Sequence, residues 1–340
     1  MREELDKQHE KAVLQQHPYP DRRLMFIFLR DRLLQLGKRL PFRQQCVATA
    51  LVYMHRYFLT TPMQSINLYM LVATAFYLAS KTEESPHHIR LVASEARSAW
   101  SEFVPGGDVS RLGEMEFCLI SEMRSQLIIW HPYRTLNELR ENPDLKLTAE
   151  EVGLAWCIIN DSYMTDLPLT CPPHLIAIIA MFLAVVFHPQ QSKAGLGAAG
   201  LGAGPGALRP PLANSAAANN QIMDTADVPG FASMGTTRPG MAGILGTAMQ
   251  HHLTMNPPPS SAAGAARNGG QQGVGVQAIQ TSEKFQSILR FLVESEIDLH
   301  QMIEGTQEII SLYEVWEQYN EKAIKDAVAR CLKSNTGGDC

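Results

Sequence analysis

The 340-residue sequence predicts an all-α protein made of two helical repeats, the second of which contains a long insertion. Three observations support this prediction: apolar residues recur at helical spacing, no segment shows the sustained alternation of a strand, and the two halves match in register. The composition agrees, because 45% hydrophobic and 19% charged residues can bury a sizeable core. At this length, two domains are the usual expectation.

Helices in the first half are predicted from apolar periodicity between prolines. Val47, Leu51, Met54 and Phe58 lie at positions i, i+4, i+7 and i+11 of one segment, and the segment from Met70 follows the same rule. Prolines punctuate the helix boundaries in both halves, at positions 41, 62, 86, 105, 132, 143, 168, 172 and 173. We therefore expect short, sharply bounded helices.

The second half repeats the first with a nearly constant offset. QQCVATALVYMHRYF, which begins at Gln44, matches EEVGLAWCIINDSYM, which begins at Glu150, with an offset of 106. NLYMLVATAFYLAS at 67 matches PPHLIAIIAMFLAV at 172, with an offset of 105. LGEMEFCLISEM at 112 matches TQEIISLYEVWE at 306, and this offset of 194 falls to 104 when a 90-residue insertion is removed. We expect about five helices in each repeat, with one apolar helix at the centre.

The insertion spans residues 191–280 and is expected to be disordered. It holds 16 of the 24 glycines and one aromatic residue, Phe231, so it lacks the large apolar groups that form a core. The predicted domains are an N-terminal segment and a first repeat, a second repeat split by the insertion, and a flexible C-terminal tail. Their bounds are 1–20, 21–128, 129–190 with 281–322, 191–280 for the insertion and 323–340.

Several classes of function are disfavoured by charge and cysteine usage. The net charge of −5 offers no long-range attraction to a phosphate backbone, so no direct binding of nucleic acid is expected. The six cysteines form no CxxC pair, and we expect neither a disulfide framework nor a metal site. The longest apolar stretch, Leu175 to Phe187, is shorter than a membrane span. The N-terminus shows no signal peptide, which indicates a cytosolic or nuclear chain.

Several motifs together resemble the cyclin family. They are LASKTEE at 78–84, FRQQCVATALVYMHRYF at 42–58 and EMEFCLISEM at 114–123. WHPYR at 130–134 and INDSYMTDLPLTCPP at 159–173 look like the branch of the family that serves the Mediator kinase module. The resemblance covers 21–190 and resumes over 281–322. It implies tandem cyclin-box repeats, in agreement with the periodicity.

The resemblance also implies a function without catalysis by this chain. A cyclin is a regulatory subunit that stabilises the active conformer of a cyclin-dependent kinase. The implied partners are the Mediator kinase, as a heterodimer, and other subunits of its module, with no membrane partner and no cofactor. The implied role is nuclear: regulation of transcription by RNA polymerase II, including phosphorylation of the polymerase C-terminal domain.

Five residues are candidates for kinase binding, and three of them are carried over from the resemblance. Lys81 matches a lysine that donates to backbone carbonyls before the αC helix of the kinase, and Glu116 matches the glutamate that accepts from backbone N–H groups there. Met70 matches a position that packs against that kinase helix. Glu83 and Glu84 lie at a helix C-terminus, where carboxylates are disfavoured, so each calls for a cation. That cation is either Lys81 or an arginine of the kinase.

The sequence also departs from the family. Phe26 replaces the arginine of the substrate-recruiting patch of cell-cycle cyclins, so docking of that kind is not expected. His55 stands where many cyclins have an aspartate, which removes an internal ion pair. Relatives carry an aromatic-rich segment before the helix that residues 2–12 resemble, so either this sequence begins late or that contact is missing.

Two other classes of function are less favoured by the sequence. A transcription-factor core of the TFIIB type also has two five-helix repeats, but a core that clamps DNA should carry a basic stripe, which this sequence lacks. An enzyme is less favoured, because no nucleophile, paired carboxylates or phosphate loop stands out. Asp161 and Asp166 are interpreted as a helix-surface residue and a helix-terminal residue.

Overall fold

The computed structural model describes residues 18–100, 109–187 and 283–335, and the regular structure within these ranges is entirely helical. This confirms the predicted all-α class. The α-helices of the described ranges are α1 (Arg22–Gly37), α2 (Gln44–Tyr57), α3 (Leu68–Thr82), α4 (Ile89–Ala99), α5 (Val109–Glu122), α6 (Tyr133–Glu141), α7 (Ala149–Ser162), α8 (Leu167–Thr170), α9 (Pro173–Phe187), α10 (Glu283–Glu294), α11 (Leu299–Trp316) and α12 (Glu321–Asn335). A 3-10 turn spans Met63–Ser65.

Side-chain caps fix where the key helices begin. The Asn67 side chain accepts hydrogen bonds from the first N–H groups of α3, which otherwise have no partner within the helix. At the start of α7, Thr148 and Glu151 form a reciprocal capping box, in which each side chain accepts from the other residue's backbone N–H. These caps set the frame of the two helices that present most of the polar groups described below.

Each repeat is built around one apolar helix. In the first repeat α3 packs against α1, α2, α4 and α5, and in the second α9 packs against α6, α7 and α11. The bounds of α3 and α9 differ by 105 residues at both ends, which confirms the register predicted for this pair. The two helices are the corresponding centres of two similar frames.

The repeats meet along α1 and α2. Helix α1 contacts α11 and α12, while α2 contacts α8. The Tyr319 hydroxyl donates to Asp31 at 3.0 Å, and Arg32 forms an ion pair with Glu321. Phe26 of α1 is fully buried and stacks on the His55 ring with centroids 3.5 Å apart, so it belongs to the core and offers no docking surface.

The prediction of a flexible tail over 323–340 is wrong for most of that range. Residues 321–335 form α12, which packs on α1 and on the 3-10 turn. Ile324, Val328 and Cys331 are buried at positions i, i+4 and i+7, an apolar stripe that was overlooked because charged residues surround it. The Cys331 thiol donates to the Gln64 carbonyl at 3.3 Å and fixes the end of this stripe.

Two predicted segments fall outside the described residues. They are most of the N-terminal segment 1–20 and the insertion 191–280. Within the described ranges, no helix combines the length and the apolar character needed to cross a bilayer.

Candidate functional site

Lys81 and Glu116 lie together, as the resemblance implied. Lys81 is in the last turn of α3 and Glu116 is in α5, and these two helices pack side by side. Their side chains form an ion pair, in which Lys81 is 39% exposed and Glu116 12%. The Lys81 ammonium also lies 4.5 Å from the centroid of the Tyr77 ring, a cation–π contact that holds the side chain against the surface. The pair presents donors and acceptors to an approaching backbone.

Helix α3 ends in a tight turn with an unusual residue. The Ser85 N–H donates to the Ser80 carbonyl at 2.8 Å, and the Glu83 N–H donates to the Ala79 carbonyl at 2.9 Å. Between them, Glu84 has φ of 52°, in the left-handed region that helices usually fill with glycine at this position. A glutamate held there is strained by about 1 to 2 kcal/mol. The side chain of Glu84 is exposed and free to meet a cationic partner.

Glu83 points inward, away from the partners that the sequence suggested. The Thr49 hydroxyl donates to the Glu83 carboxylate at 2.5 Å, and His131 Nε2 lies 3.7 Å from it. The contact with His131, more than the hydrogen bond from Thr49, holds the pKa of Glu83 below its ordinary value. In the chain alone Glu83 is anchored by Thr49 and His131 while Lys81 pairs with Glu116, and a contact of Glu83 with a kinase arginine stays a prediction.

Met70 is not brought to the Lys81 end of the helix. Its backbone N–H donates to the capping Asn67 side chain in the first turn of α3, and its own side chain is 6% exposed. Eleven residues separate it from Lys81, which at the helical rise of 1.5 Å per residue is about 16 Å along the axis. In the chain alone, Met70 is a core residue.

Three exposed apolar residues, one of them beside the pair, were not among the residues predicted from the sequence. Phe117, next to Glu116, is 77% exposed, and Ile128 and Trp130, in the connection to the second repeat, are 81% and 72% exposed. Large exposed side chains of this kind are typical of interaction surfaces. The signal was available for Phe117, because the buried residues of α5 are Leu112 and Leu119 and Phe117 falls off their stripe.

His55 does more than lose an ion pair, which corrects its interpretation. Its Nε2 donates to the Tyr163 carbonyl of the second repeat at 2.9 Å, and its Nδ1 lies 3.5 Å from Asp166. Burial lowers the pKa of His55, whereas the contact with His55, and then Arg22, lowers that of Asp166. Because His55 is fully buried and no charged group beside it is fully buried as well, the neutral form of its imidazole is favoured.

Asp161 is also buried and is not the helix-surface residue that was predicted. It is 4% exposed, accepts from the Tyr313 hydroxyl at 3.1 Å, and lies 3.8 Å from Arg30 of the first repeat. Burial outweighs the attraction of Arg30 and raises the pKa of Asp161 to about 6. Its partners are all internal, so the structure gives it a role between the repeats.

The chemistry of this surface is that of binding. Among the described residues, no group of three or more His, Cys, Asp or Glu side chains is arranged to hold a metal ion. Lys81 retains two donor protons beyond the one used by Glu116, and a carboxylate can accept several hydrogen bonds. Next to them stand an exposed carboxylate, Glu84, and an exposed aromatic ring, Phe117. Together they can recognise a polypeptide segment by its backbone, charge and apolar groups.

Comparisons with known proteins agree with the motifs. Residues 1–104 match the family described as "Cyclin, N-terminal domain". The RNA polymerase II holoenzyme cyclin-like subunit of Aspergillus terreus is 43% identical over 328 residues, which cover 96% of this chain and 89% of the relative. The subunit of the same name from Emericella nidulans is 42% identical over 330 residues, covering 97% and 90%.

A solved structure gives a weaker likeness. A chain in the CAK complex of Chaetomium thermophilum bound to ATP-gamma-S aligns with a TM-score of 0.41 and 20% identity, over 51% of this chain and 58% of that chain. This partial likeness carries no conclusion about function. The relatives suffice, because both exceed 40% identity over nearly the whole chain, and they are cyclin-like proteins and not TFIIB-like cores. The chain therefore belongs to the cyclin family and is similar to its cyclin C branch, that of the fungal RNA polymerase II holoenzyme cyclin-like subunits.

Proposed function

We propose that this chain is the regulatory cyclin subunit of the cyclin-dependent kinase of the Mediator kinase module. It binds the kinase as a heterodimer, contacts other subunits of the module, and acts in the nucleus. By favouring the active conformer of the kinase, it regulates transcription by RNA polymerase II, including phosphorylation of the polymerase C-terminal domain. The names of the relatives support a role with RNA polymerase II, and the observation that supports kinase binding is the Lys81–Glu116 pair.

The proposed contact uses three kinds of groups at one end of the first repeat. Lys81 donates to carbonyls of the segment before the αC helix of the kinase, and Glu116 accepts from its N–H groups. Phe117 supplies apolar area beside them, of the aromatic kind that often dominates binding energy. Glu84 reaches an arginine that would otherwise depend on a phosphorylated activation loop, so it acts on the order of that loop.

A titration of purified kinase against the double variant Lys81→Ala/Glu116→Ala tests the proposal. Each substitution removes a charge-assisted hydrogen bond, and one such bond is worth about 1.5 to 3 kcal/mol. We therefore expect the affinity to fall by about tenfold or more, while the helical content measured by circular dichroism stays unchanged.

The matched control is Arg39→Ala/Glu95→Ala. This ion pair joins the turn after α1 to helix α4 at 3.2 Å, with comparable exposure of 41% and 28%. It lies outside the proposed contact, so its loss should leave kinase affinity as it is. Equal affinity of the wild type and the Lys81/Glu116 variant would contradict the proposed contact. An absence of binding by the wild type would contradict the proposed function itself.

A further inference from the structure

A continuous relay of hydrogen bonds, formed by four side chains, runs from the second repeat to the end of α3. The Tyr163 hydroxyl lies 2.7 Å from His131 Nδ1, and His131 Nε2 lies 2.7 Å from the Thr49 hydroxyl oxygen. The Thr49 hydroxyl in turn lies 2.5 Å from the Glu83 carboxylate. Four residues from α2, the end of α3, the connection between repeats and the end of α7 are thereby linked.

The proton positions along this chain follow from its ends. An ionised carboxylate only accepts, so the single hydroxyl proton of Thr49 goes to Glu83. The Thr49 oxygen then accepts from His131 Nε2–H, and in the tautomer with this single N–H the other ring nitrogen, Nδ1, accepts from the Tyr163 hydroxyl. Every member thus has one direction of donation, from Tyr163 to His131, from His131 to Thr49 and from Thr49 to Glu83.

Burial favours this one arrangement of the hydrogen bonds in the relay. Thr49 is fully buried, Tyr163 is 2% exposed and the His131 side chain is 6% exposed, so water does not replace their bonds. Tyr163 is held a second time, because its carbonyl accepts from His55 of the first repeat at 2.9 Å. The position of its ring and hydroxyl relative to the first repeat is therefore fixed at two points.

The other end of the relay is Glu83, at a helix terminus where a carboxylate is disfavoured. Glu83 is the C-cap residue of α3, where the helix dipole disfavours a carboxylate, and Glu84 directly after it is strained. Lys81 lies two residues earlier. If Glu83 were released from Thr49 and His131, its carboxylate would keep only the longer-range attraction of Arg43, and the strained turn would be free to relax.

We infer that Tyr163, His131, Thr49 and Glu83 are positioning residues, through which the second repeat fixes the binding end of α3. They touch no kinase atom in this account; they act through the backbone that carries Lys81 and Glu84. The inference rests on the proposed function for its consequence, but the positioning itself is a property of the chain alone. It assigns to the second repeat a part in binding that the position of Lys81 and Glu116 in the first repeat does not suggest.

The test uses Tyr163→Phe in the full-length chain. This change removes only the hydroxyl that begins the relay. Amide hydrogen exchange is read at Ser85, whose N–H closes the turn at the end of α3. We expect exchange at Ser85 to become several-fold faster, because the turn loses its anchor. Kinase affinity should fall by about fivefold, the size of one hydrogen bond.

The matched control is Tyr313→Phe, which removes another buried hydroxyl of the second repeat, bonded to Asp161. It should leave both Ser85 exchange and kinase affinity unchanged. A third measurement combines Tyr163→Phe with Lys81→Ala. If the relay acts by placing Lys81, the two losses of affinity will be less than additive, which a general loss of stability would not produce.

The outcomes separate the two proposals. Unchanged exchange at Ser85 in Tyr163→Phe, or equal acceleration in both phenylalanine variants, overturns the positioning role. Faster exchange in Tyr163→Phe alone with fully additive losses of affinity overturns the link from the turn to Lys81. A wild-type chain that binds no kinase overturns the proposed function, while the exchange measurement still decides whether the relay positions the turn.

Discussion

The two repeats place different residues at corresponding ends of their central helices. With the offset of 105 that relates α3 to α9, Lys81 corresponds to Val186. With the offset of 194 that relates α5 to α11, Glu116 corresponds to Ile310. Both apolar residues are partly buried. An ion pair at the end of the first repeat is thus matched by an apolar pair in the second.

This difference between the repeats shows that the helical frame and the binding chemistry are separate properties. Both frames bury a central apolar helix in the same way, yet only the first carries polar groups suited to bind a backbone at that end. A fold alone does not identify a function, so the proposed kinase contact depends on the residues at these two positions. The second repeat contributes by another route, the relay that begins at Tyr163.

A second pair of corresponding positions lies at the contact between the repeats. The sequence match with an offset of 106 pairs His55 with Asp161, whereas the bounds of α2 and α7 differ by 105 at both ends, so the two residues are one position apart along their helices. Each side chain crosses toward the other repeat, His55 to the Tyr163 carbonyl and Asp161 toward Arg30. Burial favours the uncharged form of both, since it lowers the pKa of His55 and raises that of Asp161. The two positions should therefore give stability opposite dependences on pH.

The largest expected effect is on the pH dependence of stability, which the substitution Asp161→Asn should change. The pKa of Asp161 is about 6 in the folded chain against an ordinary value of 3.8. Its contribution to stability is fully present below about pH 4 and is lost as the pH rises through 6. At 1.36 kcal/mol per pKa unit the loss is about 3 kcal/mol. Asparagine still accepts from Tyr313 but carries no such dependence.

Urea unfolding of both proteins at several pH values between 4 and 7 measures this effect. The free energy of unfolding of the variant minus that of the wild type should increase by about 3 kcal/mol across the range. The corresponding change His55→Gln should remove a dependence of opposite sign, because a lowered histidine pKa contributes stability that is lost as the pH falls. A constant difference for Asp161→Asn would show that Arg30 keeps Asp161 ionised throughout.

The next effect compares two glycines on corresponding helices, Gly113 of α5 and Gly305 of α11. A Cβ atom added at Gly305 would lie 2.6 Å from Cδ1 of Ile179, which is fully buried in α9. At Gly113 it would meet nothing within 4 Å. We expect Gly305→Ala to lower the free energy of unfolding by about 1 to 3 kcal/mol. Gly113→Ala should raise it by about 0.5 to 1 kcal/mol, through helix propensity.

Thermal or urea unfolding of the two alanine variants beside the wild type checks this pair. Opposite signs would support close contact of α11 with the central helix in the second repeat and an open face of α5 in the first. If both substitutions stabilise the chain, Ile179 can move aside at little cost, and the second repeat is packed no more tightly than the first.

The sequence predicted the frame because its signals are local or periodic. The apolar spacing from Val47 to Phe58 predicted α2, and the offset of 105 predicted that α9 is the counterpart of α3 in the second repeat. It also predicted that Lys81 and Glu116 lie together, although this came from resemblance and not from spacing. The stripe of Ile324, Val328 and Cys331 was present in the sequence but was outweighed by the charges around it.

What the sequence could not predict depends on contacts between distant positions. Glu83 and Glu84 are the same residue type side by side, yet one is turned to Thr49 and His131 and the other to solvent. That choice follows from the approach of the connection between repeats, which no local pattern records. Asp161 was misplaced for the same reason, because its burial is produced by Arg30 and Tyr313 from other elements.

The smallest expected effect on stability concerns Glu84, the strained residue that distinguishes the end of α3. A left-handed conformation costs a residue with a Cβ about 1 to 2 kcal/mol, and glycine avoids that cost while losing about 0.5 to 1 kcal/mol of backbone entropy on folding. Glu84→Gly should therefore stabilise the chain by about 0.5 to 1 kcal/mol. Glu84→Gln keeps the backbone strain and should leave stability unchanged.

Both substitutions should nevertheless lower the turnover of the saturated kinase complex more than its affinity. In the proposed contact, loss of the Glu84 carboxylate would leave the kinase arginine without its anion and the activation loop less ordered, so fewer bound kinases would occupy the active conformer. The control is Glu114→Gln, at an exposed carboxylate on α5 close to the pair. Turnover on a peptide substrate at saturating cyclin decides the matter. A stabilised Glu84→Gly with full turnover would make Glu84 an ordinary surface residue, whereas stabilisation with reduced turnover would show that the strain is retained because the carboxylate is needed there.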